Sequence, residues 1–259
     1  MDTSWLEWET PPERLELGQD ETHVWRISLE LGSESLERLR CSLSEDELER
    51  SNRFKFQEGR RRYIAARGCL RNILAHYLNL EASKLRFVYN SYGKPELAKG
   101  YGYKSLAFNL SHSHELGLIA VAWNRQVGVD LEMIRSNVER EKLAERFFSE
   151  REVSDLKSVP DEMQERAFFA CWTRKEAFIK ASGQGLSLPL DQFDVSLNLQ
   201  NPPLIFAIHG DEIEARKWSL FHLDPHPGYV AALAIYDHDL RLHCWQWTGE
   251  WGFQGGDYA

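Results

Sequence analysis

Cysteine is scarce in this chain and poorly spaced for chemistry. Cys41, Cys69, Cys171 and Cys244 stand far apart, with no C-x-x-C spacing and no neighbouring histidine cluster. That excludes a disulfide framework or a cysteine zinc site and fits a reducing compartment, the cytoplasm. No apolar run approaches the roughly 20 residues that cross a bilayer, so no membrane association is expected. The opening Met1-Asp2-Thr3-Ser4-Trp5-Leu6-Glu7 has neither the basic start nor the apolar stretch of a secretory signal. Positive charge is in deficit: 31 Lys and Arg stand against 40 Asp and Glu, a net charge of −9, which argues against nucleic acid as a partner. A Ser-His-Asp triad is not evident. What is present, 42% hydrophobic and 27% charged residues over 259 positions, suits a soluble globular protein of one large domain or two small ones.

One stretch runs against the acidic balance. Residues 50 to 71 hold Arg50, Arg53, Lys55, Arg60, Arg61, Arg62, Arg67 and Arg71 against the single acid Glu58. This predicts a helix with a cationic face, fit to meet a phosphate or an acidic protein.

The chain also repeats itself. Ser44-Glu45-Asp46-Glu47 and Ser149-Glu150-Arg151-Glu152 are both S-x-x-E capping boxes, each opening a helical region. Each leads to a longer helix, expected over 60–77 and 161–182, the latter stopped by Gly183. Each half then carries a hairpin. Residues 105–110 and 116–123 flank the polar turn Ser111-His112-Ser113-His114, and 218–223 and 229–236 flank Asp224-Pro225-His226-Pro227-Gly228. The pattern predicts an α+β fold of two pseudosymmetric lobes, each a small antiparallel sheet packed with helices, with the active site in the cleft between them. The join is expected at Asn124-Arg125-Gln126, giving lobes of residues 1–123 and 124–259. Residues 1–22, with Pro11-Pro12, read as a loose N-terminal arm. The aromatic tail from His243, with Trp245, Trp247, Trp251 and Phe253, is expected to fold back on the second lobe.

Two segments carry chemistry. In Gly128-Val129-Asp130-Leu131-Glu132 the carboxylates lie two apart in a β-leaning run and share one face of a strand. In Trp172-Thr173-Arg174-Lys175-Glu176-Ala177-Phe178-Ile179-Lys180, Trp172, Glu176 and Lys180 recur at four-residue spacing on one face of a helix. Lys175 points elsewhere, and Trp172 reads as packing. Three carboxylates and a lysine from two elements suit a hard divalent cation and a phosphate, hence chemistry on a phosphate ester.

Two more motifs precede these, Gly93-Lys94-Pro95 and Phe108-Asn109-Leu110-Ser111-His112-Ser113. The four together, in order across residues 93–180, resemble the phosphopantetheinyl transferases of the surfactin-synthetase-activating, broad-substrate type. That resemblance implies a two-lobed monomer that moves 4′-phosphopantetheine from coenzyme A to a serine of an apo acyl or peptidyl carrier protein, releasing adenosine 3′,5′-bisphosphate. It implies Mg²⁺ or Mn²⁺ held by Asp130, Glu132 and Glu176, with Glu176 and Lys180 catalytic. For coenzyme A it implies Arg50, Gly93, Lys94, Asn109, Ser111 and His112, together with Asp130, Glu176 and Lys180. The carrier is expected to dock on the arginine-rich stretch and on Gln184-Gly185-Leu186-Ser187-Leu188. Fatty-acid, polyketide and peptide synthesis all use such carriers. Two alternatives remain: a metal-dependent phosphodiesterase or nuclease, and a non-catalytic module that binds carrier proteins.

Overall fold

The computed structural model describes residues 7–100, 105–199, 201–238 and 240–249. The first half runs β1 (Glu21–Ser28), α1 (Ser33–Arg40), α2 (Glu45–Asn52), α3 (Gln57–Leu78), β2 (Phe87–Tyr89), β3 (Pro95–Leu97), β4 (Leu106–Ser113) and β5 (Leu116–Trp123). The second half restates it as β6 (Val127–Met133), α4 (Arg140–Phe147), α5 (Glu150–Ser158), α6 (Asp161–Ser182), β7 (Phe193–Val195), β8 (Ile205–Ile208), α7 (Glu212–Ala215), β9 (Ser219–Leu223) and β10 (Tyr229–Ile235). The last element among the described residues is β11 (Arg241–Gln246). Strand order β1-β5-β4 in one sheet matches β6-β10-β9 in the other, all antiparallel, and β11 extends the first sheet beyond β1. The expected two-lobe α+β repeat is present.

Strand alternation builds the layers. On β1 and β5, Trp25, Ile27, Ile119 and Val121 face α3, whereas Val24, Leu118, Ala120 and Ala122 face the other sheet. On β10, Leu233 and Ile235 meet that same inter-sheet core while Ala232 and Ala234 face α6. The result is helix, sheet, sheet, helix, with apolar cores in all three spaces.

Both capping boxes form, at Ser44/Glu47 and Ser149/Glu152. Each glutamate is then buried and claimed by the long helix of its own lobe. Glu47 accepts Arg67 and Arg71 from α3, and Glu152 accepts Lys175 from α6 at 2.6 Å. This corrects the cationic face. Arg67 and Arg71 are buried, Arg61 donates to the Leu31 carbonyl, and Arg62 pairs with Glu30 and Glu58. The sequence shows the excess of positive charge, but Glu47 lies 20 residues before Arg67, too far for a helical charge pattern to pair them.

The ends also differ from expectation. β11 runs parallel to β1, pairing His23 with His243 and Trp25 with Trp245, so the tail joins the first lobe's sheet and not the second lobe. Trp245 and Trp247 pack in the core beside Trp25, while Trp251 and Phe253 lie outside the described residues. β1 begins at Glu21, inside the stretch read as an arm, and the Glu9 amide donates to the Cys244 carbonyl at 2.9 Å. Finally, β4 continues through Ser111-His112-Ser113. The hairpin turns at His114, whose φ is +53°.

A candidate active site where the two sheets meet

β4 of the first lobe lies beside β6 of the second without backbone pairing, and side chains join them. Asn109, Ser111 and Ser113 alternate along β4 and so share one face. The Asn109 Oδ1 accepts the Val129 amide, Ser111 Oγ donates to Asp130 Oδ1, and Ser113 Oγ donates to Glu132 Oε2, each at 2.9 Å. These bonds fix the direction of both β6 carboxylates. Asn109 and Ser111 thus hold the site through β6, a role the motifs did not disclose.

Helix α6 supplies the third side. An ideal Cβ on Gly128 would lie 2.2 Å from the Ala177 carbonyl oxygen and 2.3 Å from the Ala181 nitrogen. Only glycine lets the helix backbone rest on β6 there. With Ala177 and Ala181 seated, Lys180 Nζ reaches Asp130 Oδ1 at 2.6 Å and Ser111 Oγ at 3.0 Å. Trp172 packs against Phe147, Phe148 and Phe168, as expected of a residue that anchors the helix. Lys175 points away, into the buried pair with Glu152.

The electrostatics are those of crowded negative charge. Burial, then the charge of Asp130, raises the pKa of Glu132 and likewise of Glu176. Asp130 Oδ2 is buried with no hydrogen-bond partner. An orphaned carboxylate oxygen beside two carboxyl groups whose pKa values are pushed up by burial and by a neighbouring negative charge is the donor set of a hard divalent cation, so Asp130, Glu132 and Glu176 fit Mg²⁺. They are not drawn into a closed ligand set, because like charges repel and Lys180 already occupies Asp130 Oδ1.

Of the other expected residues, Gly93, Lys94, Asn109, Glu176 and Lys180 line one pocket together with Tyr92. Gly93 has φ +83°, which the turn requires. Lys94 does not point into open space: its ammonium donates to the carbonyls of Val127 at 3.1 Å and Ala181 at 3.2 Å, and burial lowers its pKa to about 8. His112 lies on the opposite face of β4 from Ser111. Its imidazole pKa is lowered by desolvation, then by the charges of Lys180 and Arg62. Arg50 is exposed, over the Tyr63 ring at 5.7 Å, and no hydrogen bond joins it to the carboxylates.

Two functional residues went unassigned at the level of sequence. Gly128 was visible as a glycine inside an apolar strand, a usual sign of close backbone approach. Asn90 shapes the Gly-Lys-Pro loop: its Oδ1 accepts the amides of Tyr92 and Lys94, and its Nδ2 donates to the Gly183 carbonyl where α6 ends. Asparagine before a glycine turn was the available signal.

Comparison with known proteins shows the family. The pattern of the 4′-phosphopantetheinyl transferase superfamily matches residues 126–234, and that of the 4′-phosphopantetheinyl transferase N-terminal region matches residues 32–124. The chain is 42% identical to the 4′-phosphopantetheinyl transferase HetI of a Nostoc species, over 93% of this chain and 98% of that one. It is 33% identical to the 4′-phosphopantetheinyl transferase Sfp of Bacillus subtilis, over 65% of this chain and 72% of Sfp. It is also 34% identical to a mouse L-aminoadipate-semialdehyde dehydrogenase-phosphopantetheinyl transferase, over 78% and 70% of the two chains.

Proposed function

Because the chain belongs to the 4′-phosphopantetheinyl transferases, we propose that the seam between β4, β6 and α6 performs that family's reaction with the residues assembled there. The protein transfers the 4′-phosphopantetheine of coenzyme A to a serine of an apo carrier protein and releases adenosine 3′,5′-bisphosphate. The observation that carries the site assignment is the Ser111–Asp130–Lys180 network, which joins one element of the first lobe to two of the second.

The carrier hydroxyl attacks the β-phosphorus of the pyrophosphate. The new P–O bond forms as the bond to the bridging oxygen breaks, and the nucleotide leaves with the electron pair. Such a step depends on positioning and on neutralising charge. Asp130, Glu132 and Glu176 hold Mg²⁺ or Mn²⁺, which when bound offsets the charge of the pyrophosphate. The Glu176 carboxylate, with its pKa raised by burial, accepts the serine proton. Lys180 presents a cation at the mouth of the same pocket, one helical turn from Glu176, to meet charge developing on the phosphate oxygens. Gly93 leaves the backbone open to the ligand, since nothing lies within 4 Å of where its Cβ would be. Lys94 holds β6 and the end of α6 in place beside it. His112 and Arg50, on the α3 side of the first sheet, are assigned to the nucleotide phosphates.

We read the enzyme as a cytoplasmic monomer of two lobes, 1–123 and 124–259, with β11 lent to the first, because one chain supplies both sides of the seam. Among the described residues no helix is long and apolar enough to cross a membrane. The carrier is assigned to the surface beside the end of α6, at residues 184–188; the Leu186 side chain lies outside the described residues. The nuclease alternative calls for a continuous basic track, and Arg62, Arg67 and Arg71 are taken from one by ion pairs within the fold. Incubation with coenzyme A, Mg²⁺ and an apo carrier, followed by weighing the carrier, tests the reading. An added phosphopantetheine supports it, and an unchanged carrier mass with intact coenzyme A overturns it.

A further inference from the structure

On the far edge of the first sheet, the parallel pairing of β1 with β11 sets His23 directly beside His243. Paired residues of neighbouring strands project to the same face, so both imidazoles stand together, with ring centroids 5.4 Å apart. Glu21, two residues before His23 on the same strand, projects to that face as well. One ligand atom from each of Glu21, His23 and His243 lies within 4.8 Å of the other two, the one such trio of His, Cys, Asp or Glu among the described residues. We propose that Glu21, His23 and His243 form a binding site for a borderline divalent cation of the Zn²⁺ type, distinct from the carboxylate site on β6 and α6, that fastens β11 to β1.

The donor set is two imidazole nitrogens and one carboxylate oxygen, which Zn²⁺ accepts with water as a fourth ligand. Ligand bonds of about 2.0–2.1 Å in a tetrahedron place donor atoms about 3.4 Å apart. His23 Nε2 is already 3.6 Å from one Glu21 oxygen, and His243 Nε2 is 3.9 Å from the other. Closing the set needs movement mainly of His243, whose side chain is 39% exposed and lies flat against Trp245.

The groups around the trio orient it. The His23 Nδ1 lies 2.7 Å from the Tyr77 hydroxyl, which also accepts from the Trp25 indole at 2.9 Å. A phenol oxygen has two lone pairs; a bound cation selects the tautomer whose Nδ1–H donates to the second of them and whose Nε2 is bare toward Glu21. Metal-binding histidines are commonly held in this way through the other ring nitrogen. The Gly18 amide donates to Glu21 Oε2 at 2.7 Å and fixes the carboxylate. Arg241 touches Glu21 Oε1 at 3.1 Å but also reaches Asp20 at 3.0 Å, so it has a partner to keep when a cation takes Glu21.

The test uses the full chain, stripped of metal and then saturated with Mg²⁺, which occupies the oxygen-rich site and competes poorly for imidazoles. Titration with Zn²⁺ is expected to show one ion per chain and to raise the unfolding temperature. His243→Gln is expected to weaken that binding about tenfold or more and to abolish the thermal shift, while carrier modification continues at the wild-type rate. Co²⁺ added to the wild-type chain should give the intense visible bands of a tetrahedral site, a readout that needs no variant to fold. Zn²⁺ binding that is undiminished in His243→Gln, no Zn²⁺ binding by the wild type, or a weak octahedral Co²⁺ spectrum would each overturn the proposal.

Discussion

Gly128→Ala adds one methyl group at the point where helix and strand backbones touch. The new Cβ would stand 2.2 Å from the Ala177 oxygen and 2.3 Å from the Ala181 nitrogen, both backbone atoms that no side-chain rotation can move aside. Carbon and oxygen approach no closer than about 3.3 Å even in favourable C–H···O contacts, so α6 and β6 must part by roughly 1 Å. Overpacking of this kind costs about 1–3 kcal/mol, which for a chain of this size lowers the unfolding temperature by roughly 2–12 °C. The chemical consequence is larger. Lys180 reaches Asp130 at 2.6 Å, and a further 1 Å takes that contact out of hydrogen-bond range. A misplacement of 1 Å costs on the order of 100-fold in rate, so kcat/KM for carrier modification should fall by about that factor in a protein that is still folded. Timed mass measurement of the carrier gives the rate, and circular dichroism on heating gives the stability. A variant that unfolds earlier yet modifies the carrier at the wild-type rate would refute the positioning argument. One unchanged in both respects would refute the close approach itself.

Asp130→Ala should abolish carrier modification, as read by mass, while the stability in urea unfolding stays within about 2 kcal/mol of wild type, because Lys180 can turn to solvent; measurable turnover at limiting Mg²⁺ would contradict the metal assignment. Lys175→Met strands the buried Glu152 charge and should destabilise the chain by about 3–5 kcal/mol in urea unfolding, with kcat for the remaining folded protein unaltered. Lys94→Ala removes two charged donors to backbone carbonyls, each worth about 1.5–3 kcal/mol, so stability should fall together with an increase in KM for coenzyme A; a higher KM at constant stability would place Lys94 on the ligand alone. Because the folded-state pKa values of Glu132 and Glu176 are raised, these groups stabilise the metal-free chain most when protonated, at low pH, and that contribution is lost as pH rises through their folded values. Mg²⁺ needs them ionised, so its thermal stabilisation should grow over that same rise, and a pH-independent Mg²⁺ shift measured calorimetrically would count against the ligand set.

The parts of this fold that local rules govern were legible in the chain. Capping boxes at Ser44 and Ser149, the stop at Gly183 and the alternation of the hairpins each depend on a few neighbouring residues, and they appear as expected, except that β4 runs on through Ser111-His112-Ser113 before it turns. The carboxylate pair on β6 and the Glu176, Lys180 face of α6 were readable for the same reason. What escaped were pairings over long separations. Arg67 and Arg71 looked like a surface because Glu47 was not visible as their partner, and Lys94 looked like a free cation because two carbonyls 33 and 87 residues onward were out of view. The parallel partner of β1 lies 220 residues beyond it, and aromatic composition alone cannot say which sheet a tail will join.

That last pairing has a consequence for how the protein is made. Synthesis at roughly 5–20 residues per second separates β1 from β11 by about 10–45 s. Throughout that interval Glu21–Ser28, with Val24 and Trp25 in its middle, has one flank unpaired and open to another nascent chain. A ribosome that stalls between residues 182 and 241 therefore leaves a chain with the β4, β6 and α6 elements of the candidate site already made and an adhesive edge exposed. The last strand acts as the chain's own late-arriving chaperone, and C-terminal truncation should show first as aggregation and only afterwards as lost activity.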